Sequence, residues 1–267
     1  MKLVMWCEFP KQVNWRKAEK IITFPLDIYV AVQSKRELQE WRKKTKFNLK
    51  PWVLLPKKKG YWFSGFTNKE DIDVLKEFKG LPVKIDLEPP LPSWKYKNRY
   101  WFAHAFKQFF KKAPNNEYLE KIIKELEEAA HCEEVLNQIH LIVNEFPAMR
   151  WYLKRQGIYF ESKKGTTKNI MCYSSFAGPL LRPLVKKYLY YYIKKNLKEN
   201  KETMFSLGLI GTGILEQEHV YPSTKELEQD LLMLKKAGGK KVALYSLEGL
   251  LKRESPQEWV EVIKKYL

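Results

Sequence analysis

Short apolar segments alternate with amphipathic segments about eight times along the chain, and this alternation limits the possible folds more than any other feature. Segments such as 27–32 (DIYVAV) and 240–250 (KKVALYSLEGL) are continuous apolar runs, which is typical of strands buried on both faces. The segments between them carry helix signals, for example the leading serine and closing glycines of 223–239. Strands that alternate regularly with helices predict an α/β fold, a (β/α)8 TIM barrel.

The alternation also predicts the domain organisation. No low-complexity or Gly/Ser-rich linker divides the chain, so residues 1–267 are predicted to form a single barrel domain. Two helix-like stretches follow the predicted fourth strand, and we interpret the segment at about 99–135 as a helical insertion. The fifth strand is then expected in 139–147 (IHLIVNEFP).

Charge and cysteine usage narrow the class of protein. Lys and Arg total 49 against 31 Asp and Glu, a net charge of +18. The lysines are dispersed beside glutamates, which favours a solvated, thermophile-like surface and gives no strong nucleic-acid signal. Cys7, Cys132 and Cys172 lack disulfide or zinc spacing, so reduced thiols in a cytoplasmic protein are expected. The N-terminal residues show no secretory signal. No apolar run approaches the roughly 18 residues needed to span a bilayer, so no transmembrane segment is predicted.

Carboxylates recur where the predicted strands end. Glu8, Glu88, Glu145 and Glu248 follow the first, fourth, fifth and eighth strands, and Asp86 lies two residues before Glu88, on the same side of its strand. Active sites of barrels lie at the carboxyl ends of the strands, so these groups are expected to share one pocket. There they would repel one another and separate their pKa values. The alternative is that each caps a helix or pairs with a lysine.

Two of these strand ends resemble motifs of family 18 glycoside hydrolases, the chitinase-like barrels. The segment 83–90 (VKIDLEPP) is similar to their fourth-strand motif, which ends in Asp-x-Glu followed closely by proline. The segment 169–175 (NIMCYSS) is similar to their sixth-strand Met-x-Tyr-Asp. The last strand, 242–250, is a looser match. The chain departs from the pattern at Leu81, Lys84 and Ser174, where the family has aspartates.

The resemblance implies a glycosidase that needs no cofactor and acts on an N-acetylated or related saccharide. It implies that Glu88 protonates the leaving oxygen and that Asp86 holds the 2-acetamido group of the substrate. Tyr173 would hydrogen-bond the acetamido oxygen, which attacks the anomeric carbon in place of a protein nucleophile. The departures leave a deacetylase-like relative or a sugar-binding protein without turnover as alternatives.

Two other kinds of enzyme remain open. The dipeptide Asn144-Glu145 is typical of retaining glycosidases that use two carboxylates, with Glu88 or Glu248 as the partner. A metal-dependent sugar isomerase would use Glu88, Glu145, His219 and Glu248, but the histidines lack metal-ligand spacing, and no metal site is predicted.

The non-catalytic alternative is a saccharide-binding barrel. Trp6, Trp62 and Trp94 follow or end predicted strands and could stack on sugar rings, with Glu8 as a polar contact. The glycine turn 208–213 (GLIGTG) resembles a phosphate-binding turn without the spacing of a nucleotide motif.

One helix-like segment, 178–200, is strongly basic and rich in tyrosine. Its apolar positions Leu184, Tyr188 and Tyr191 are expected to face the barrel, while Lys186, Lys187 and Lys194 meet water. Contact of this helix with an anionic polymer or a membrane is the alternative.

Overall fold

Eight strands, β1 to β8, follow one another in sequence order in the computed structural model, and β1 pairs with β8. The structure describes residues 1–90, 112–129, 132–136, 147–160, 166–178, 180–214 and 218–267. The strand pairs whose registers are known are all parallel. Sequential order, parallel pairing and closure of β1 on β8 define a (β/α)8 barrel, so the predicted fold class is confirmed.

The strands and helices keep the alternation that the sequence predicts. The strands are β1 Lys2–Cys7, β2 Asp27–Val32, β3 Asn48–Val53, β4 Val83–Asp86, β5 Cys132–Leu136, β6 Thr166–Met171, β7 Met204–Gly208 and β8 Lys241–Tyr245. The helices are α1 Trp15–Ile21, α2 Lys35–Arg42, α3 Lys69–Ile72, α4 Asn116–Ala129, α5 Pro147–Arg155, α6 Arg182–Glu199, α7 Thr224–Lys236, α8 Leu247–Leu251 and α9 Pro256–Lys264. β1 shows why the strands were recognisable, since its residues from Leu3 to Cys7 are all buried.

The fifth strand differs from its prediction. β5 is Cys132–Leu136 and pairs with β4 through the register Val83↔Cys132. The predicted segment 139–147 lies outside the described residues, apart from Pro147, which begins α5. The predicted insertion at about 99–135 therefore contains α4 and ends inside β5. The sequence CEEVL has two adjacent glutamates and one β-branched residue, so it gives little strand signal beside the more apolar IHLIV.

Contacts between residues divide the chain into two compact units. The first unit is Met1–Ala31, Arg36–Lys50 and Lys168–Leu267. The second unit is Val32–Lys35 and Pro51–Thr167. The first holds β1, β7, β8 and β2 as far as Ala31, and the second holds β4 and β5. The single domain over 1–267 stays a prediction.

The long helix α6 presents a different face to the core from the one predicted. Leu189, Tyr192 and Ile193 are its buried residues, whereas Leu184 and Tyr191 are each 67% exposed and Tyr188 is 39% exposed. The prediction was wrong because α6 carries two apolar stripes, and only the stripe with i, i+3 and i+4 spacing from Leu189 packs against the protein. Among the described helices, none combines the length and the apolar character needed to cross a bilayer.

Candidate functional site

Glutamates and a tyrosine meet at the carboxyl ends of strands in the first unit. Glu8 follows β1 directly, and Tyr245 is the last residue of β8. The Tyr245 hydroxyl donates a hydrogen bond to Oε2 of Glu8, and both side chains are buried. Because β1 and β8 pair in parallel through Trp6↔Tyr245, the two groups leave the sheet at the same end. This is the end at which barrels place their active sites.

Glu248 approaches the same place from α8. The Ser246 hydroxyl accepts the Gly249 N–H at 3.2 Å, which starts α8 and places Glu248 in its first turn. Oε1 of Glu248 accepts the backbone N–H groups of Glu8 at 3.1 Å and Phe9 at 3.3 Å. Oε2 accepts no N–H or O–H hydrogen bond within the described residues. Glu248 therefore fixes the backbone around Glu8 while one of its own oxygens stays without such a bond.

The surroundings of Glu248 change its acidity. Burial raises its pKa to about 7. The N–H groups that it accepts oppose this rise, and the negative charge of Glu8 adds to it. Glu248 is only 2% exposed, so the proton that it binds near neutral pH is bound inside the protein.

Glu218 is a third carboxyl group in contact with this site, and it comes from the segment between β7 and α7. Its Oε2 accepts the Gly213 N–H at 2.9 Å. Burial raises the pKa of Glu218 to about 7; the Gly213 N–H opposes this rise, and the charge of Glu8 adds to it. Glu218 is half-buried, so it is the member of the group that reaches solvent most easily.

Gly213 explains how the three carboxyl groups come together. A Cβ atom at this position would lie 2.9 Å from Oε2 of Glu8 and would collide with the Tyr245 hydroxyl. Only glycine lets the backbone pass over the Glu8–Tyr245 pair and bring Glu218 next to it. The turn 208–213 thus meets carboxylates, which would repel a phosphate, so the phosphate-binding interpretation does not fit.

Aromatic rings surround the Tyr245 side chain. The Trp6 ring lies edge-on to it with centroids 6.0 Å apart, and the Tyr173 ring lies 6.4 Å away on a tilt of 48°. Phe176 packs edge-on against Tyr173 at 5.4 Å. Trp6 is 2% exposed and Tyr173 is buried, so Trp6 contacts other side chains and offers almost no open ring face. The predicted site residues Glu8, Glu248, Trp6 and Tyr173 thus share one neighbour, Tyr245.

Hydrogen bonds fix the segment that follows Tyr173. The carboxylate of Asp230, on α7, accepts the hydroxyl groups of Ser174 and Tyr221 and pairs with Lys186 at 3.0 Å. Asp230 is fully buried. Ser174 stands where the family motif has an aspartate, and the carboxylate at this point comes from Asp230 instead.

In the second unit, the predicted carboxylate Asp86 has both oxygens engaged. Oδ1 lies 2.7 Å from Nζ of Lys84, and Oδ2 accepts the Trp52 indole N–H at 2.8 Å. Lys84 is completely buried, and its Nζ lies 3.4 Å from the centroid of the Trp52 ring. The departure from the family motif at Lys84 therefore produces a buried ion pair with Asp86.

The remaining predicted residues are spread over the chain. Glu88 is half-buried, and its backbone N–H donates to the Phe63 carbonyl at 3.1 Å. Trp62 is partly exposed and packs edge-on against the neighbouring Tyr61 at 5.6 Å. His219 is exposed, and no group of His, Cys, Asp and Glu within the described ranges could hold a metal ion. Glu145 and Trp94 lie outside the described residues.

Two residues of the site were not singled out from the sequence. Tyr245 lies inside the predicted strand 240–250, where an aromatic residue is expected to belong to the hydrophobic core. Glu218 lies in a segment without apolar periodicity, and its only sequence signal is the preceding run of glycines.

The raised pKa of Glu248 predicts how the free energy of unfolding depends on pH. A carboxyl group whose pKa rises from 4.5 to about 7 on folding stabilises the protein fully below pH 4.5, and this stabilisation is lost as the pH rises to 7. We expect Glu248→Gln to remove this loss, so that its free energy of unfolding at pH 8 exceeds that of the wild type by about 3 kcal/mol. Urea unfolding between pH 4.5 and 8 measures this.

The control for this experiment is Glu254→Gln, which removes an exposed carboxylate and should keep the wild-type pH dependence. Glu218 contributes a further part of the slope, so the slope of Glu248→Gln should become smaller without disappearing. A slope equal to that of the wild type would mean that Glu248 keeps an ordinary acidity in the folded protein.

Comparison with known proteins bears on the fold. Neither a family model nor a curated protein matches the sequence. Among solved structures, the PgaB (BpsB) glycoside hydrolase domain from Bordetella bronchiseptica matches with a TM-score of 0.59 and 9% identity over 98% of each chain. The chitinase RmChi1 from Rhizomucor miehei matches with a TM-score of 0.51 and 12% identity over 100% of each chain.

The Clostridial cellulose synthase subunit Z (CcsZ) from Clostridioides difficile also matches, with a TM-score of 0.53 and 10% identity over 98% of this chain and 99% of that one. At these identities the similarity concerns the fold alone. The likeness to chitinase-like barrels is therefore confirmed as a likeness of fold.

Proposed function

We propose that this chain is a glycoside hydrolase-like enzyme that cleaves an N-acetylated or related saccharide by acid catalysis, with Glu218 as the acid. The observation that supports this most is the meeting of Glu8, Glu218 and Glu248 at the carboxyl ends of strands in the first unit. Barrel enzymes carry their chemistry at this end. Glycosidic bonds are cleaved by carboxyl groups whose environments separate their pKa values.

Glu218 suits the role of proton donor. It is half-buried, and a pKa of about 7 leaves a large share of the carboxyl groups protonated at neutral pH. The Gly213 N–H holds Oε2, so Oε1 would carry the proton to the leaving glycosidic oxygen. The negative charge of Glu8 keeps the proton on Glu218 until the substrate oxygen takes it.

Glu8 and Tyr173 would act on the sugar ring from beneath. The cleavage passes through a state with positive charge at the anomeric carbon, and the buried carboxylate of Glu8 would stabilise this charge. In an N-acetylated substrate the acetamido oxygen can attack the anomeric carbon, so no protein nucleophile is required. Tyr173 lies beside Tyr245, where its hydroxyl would contact that oxygen.

A second candidate keeps Glu88 as the acid. Glu88 is half-buried and follows β4, in agreement with the sequence motif. However, that mechanism needs Asp86 to hold the acetamido group, and both oxygens of Asp86 already bind Lys84 and Trp52. The environment of Asp86 therefore favours Glu218 over Glu88.

The variant Glu88→Gln distinguishes the two candidates. We expect its kcat/KM on an N-acetylated oligosaccharide to stay within a few-fold of the wild type, because the proton comes from Glu218. The measurement is the release of reducing ends, with the melting temperature as the control for folding. A loss of about 100-fold or more would assign the acid to Glu88. Binding of the saccharide by the wild type with no release at all would identify a sugar-binding protein without turnover.

A further inference from the structure

A row of exposed apolar side chains runs along α6 and the turn before it. Leu180 is 93% exposed, Leu181 is 61% exposed, and Leu184 and Tyr191 follow in α6 at 67% each. Isolated exposed leucines are ordinary on protein surfaces, but a contiguous apolar patch marks a place of interaction. The inner stripe of α6, which includes Leu189 and Ile193, already supplies the packing that the fold needs.

Lysines lie on the same exposed face. With 3.6 residues per turn, Leu184, Lys187, Tyr191, Lys194 and Lys198 fall within a sector of about 80°. All five side chains are exposed. α6 contains six Lys and Arg residues and a single acidic residue. The exposed face is therefore both apolar and cationic along a helix about 27 Å long.

Five of the six cations of α6 fall into two groups. Arg182 and Lys186 turn towards α7, where both pair with Glu226, at 3.3 and 3.1 Å. The exposed lysines, Lys187, Lys194 and Lys198, make no ion pair within the described part of the chain. Their charges thus remain available to an anionic partner.

We infer that α6 docks this protein on a membrane surface that carries anionic lipid headgroups. The leucines and Tyr191 would enter the boundary between headgroups and acyl chains, and the lysines would contact lipid phosphates. Tyrosine suits this boundary because its ring is apolar and its hydroxyl is polar. The face is one helix whose exposed lysines form no ion pair with the residues that the structure describes, and a bilayer surface can accept apolar and cationic side chains from such a helix together.

The test uses the full chain and sedimentation with lipid vesicles. We expect the protein to bind vesicles of phosphatidylcholine mixed with phosphatidylglycerol, and to bind vesicles of phosphatidylcholine alone far more weakly. High salt should weaken the binding because it screens the lysines. Failure to bind the mixed vesicles at low salt would overturn the inference.

Two sets of variants separate the apolar and the cationic contributions. We expect Leu180→Ser/Leu184→Ser to lower the affinity for mixed vesicles at least tenfold, because leucine side chains no longer enter the bilayer. Its control removes two other exposed leucines, Leu232→Ser/Leu267→Ser, and should bind like the wild type.

The triple variant Lys187→Gln/Lys194→Gln/Lys198→Gln should lose on the order of a hundredfold in affinity. Its control makes the same change of net charge with three exposed lysines elsewhere: Lys11→Gln, Lys20→Gln and Lys236→Gln. Equal losses in both triple variants would show that net charge alone attracts the protein to lipid and would overturn the assignment to α6. A wild type that forms dimers, which the leucine variant converts to monomers without a change in vesicle binding, would assign the face to a second copy of the chain.

Discussion

Glu218→Gln is expected to lower kcat for cleavage of an N-acetylated oligosaccharide by about 10²- to 10⁴-fold, the usual contribution of a general acid. Glutamine keeps the oxygen that accepts the Gly213 N–H, so the turn should hold its position. It cannot supply a proton to the leaving oxygen. The release of reducing ends in the wild type and the variant measures the effect, and Glu254→Gln serves as the exposed control.

A change of leaving group tests whether the loss concerns the proton. The leaving group of a dinitrophenyl glycoside is a stable anion, so its glycosidic oxygen needs little protonation during cleavage. Glu218→Gln should therefore cleave this substrate nearly as fast as the wild type. On the oligosaccharide, kcat/KM of the wild type should fall above pH 7, because the acid must be protonated and the pKa of Glu218 is about 7. Equal losses on both substrates would mean that Glu218 has a structural role only.

The fold was predictable because its main signal is local. β2 and β8 are continuous apolar runs, and burial on both faces is what such runs indicate. β5 was not predicted because its strand state depends on pairing with β4, and within CEEVL only one β-branched residue favours a strand. α6 shows the converse limit: the sequence contains two apolar stripes, and only the tertiary structure decides which one is buried.

The candidate site was predictable in part, and for a related reason. Glu8 and Glu248 could be found because they stand at fixed positions after strands, and strand ends are visible in the sequence. Glu218 could not, because it reaches the site through a turn whose path is set by the close approach of Gly213 to Tyr245. No spacing rule describes such an approach. The resemblance at β4 located Asp86 correctly at a strand end, but the partners of Asp86 are Lys84 and Trp52.

Lys84 links this discrepancy to stability. Its Nζ, fully buried, is held between the carboxylate of Asp86 and the ring of Trp52. A buried ion pair of this kind stabilises the folded protein little more than two apolar residues would, because both charges lose their hydration. Removal of one partner is far more costly, since the other charge stays buried without compensation. The pair therefore makes the second unit sensitive to a single substitution.

Lys84→Met is expected to lower the free energy of unfolding by about 3–5 kcal/mol, because it leaves the Asp86 carboxylate buried beside Trp52 without its cation. The double variant Lys84→Met/Asp86→Asn should recover most of this loss, since the amide is neutral and its oxygen can still accept the indole N–H. Urea unfolding measures both variants and Asp86→Asn, which completes the cycle.

The matched control is Lys43→Met, which breaks the exposed pair with Glu40 and should change the free energy of unfolding by less than about 1 kcal/mol. If Lys84→Met cost no more than this control, the Asp86 carboxylate would not depend on Lys84 to compensate its charge in the folded protein. Asp86 would then be available to a ligand, as the mechanism with Glu88 as the acid requires. The stability of one variant thus bears directly on which glutamate carries the chemistry.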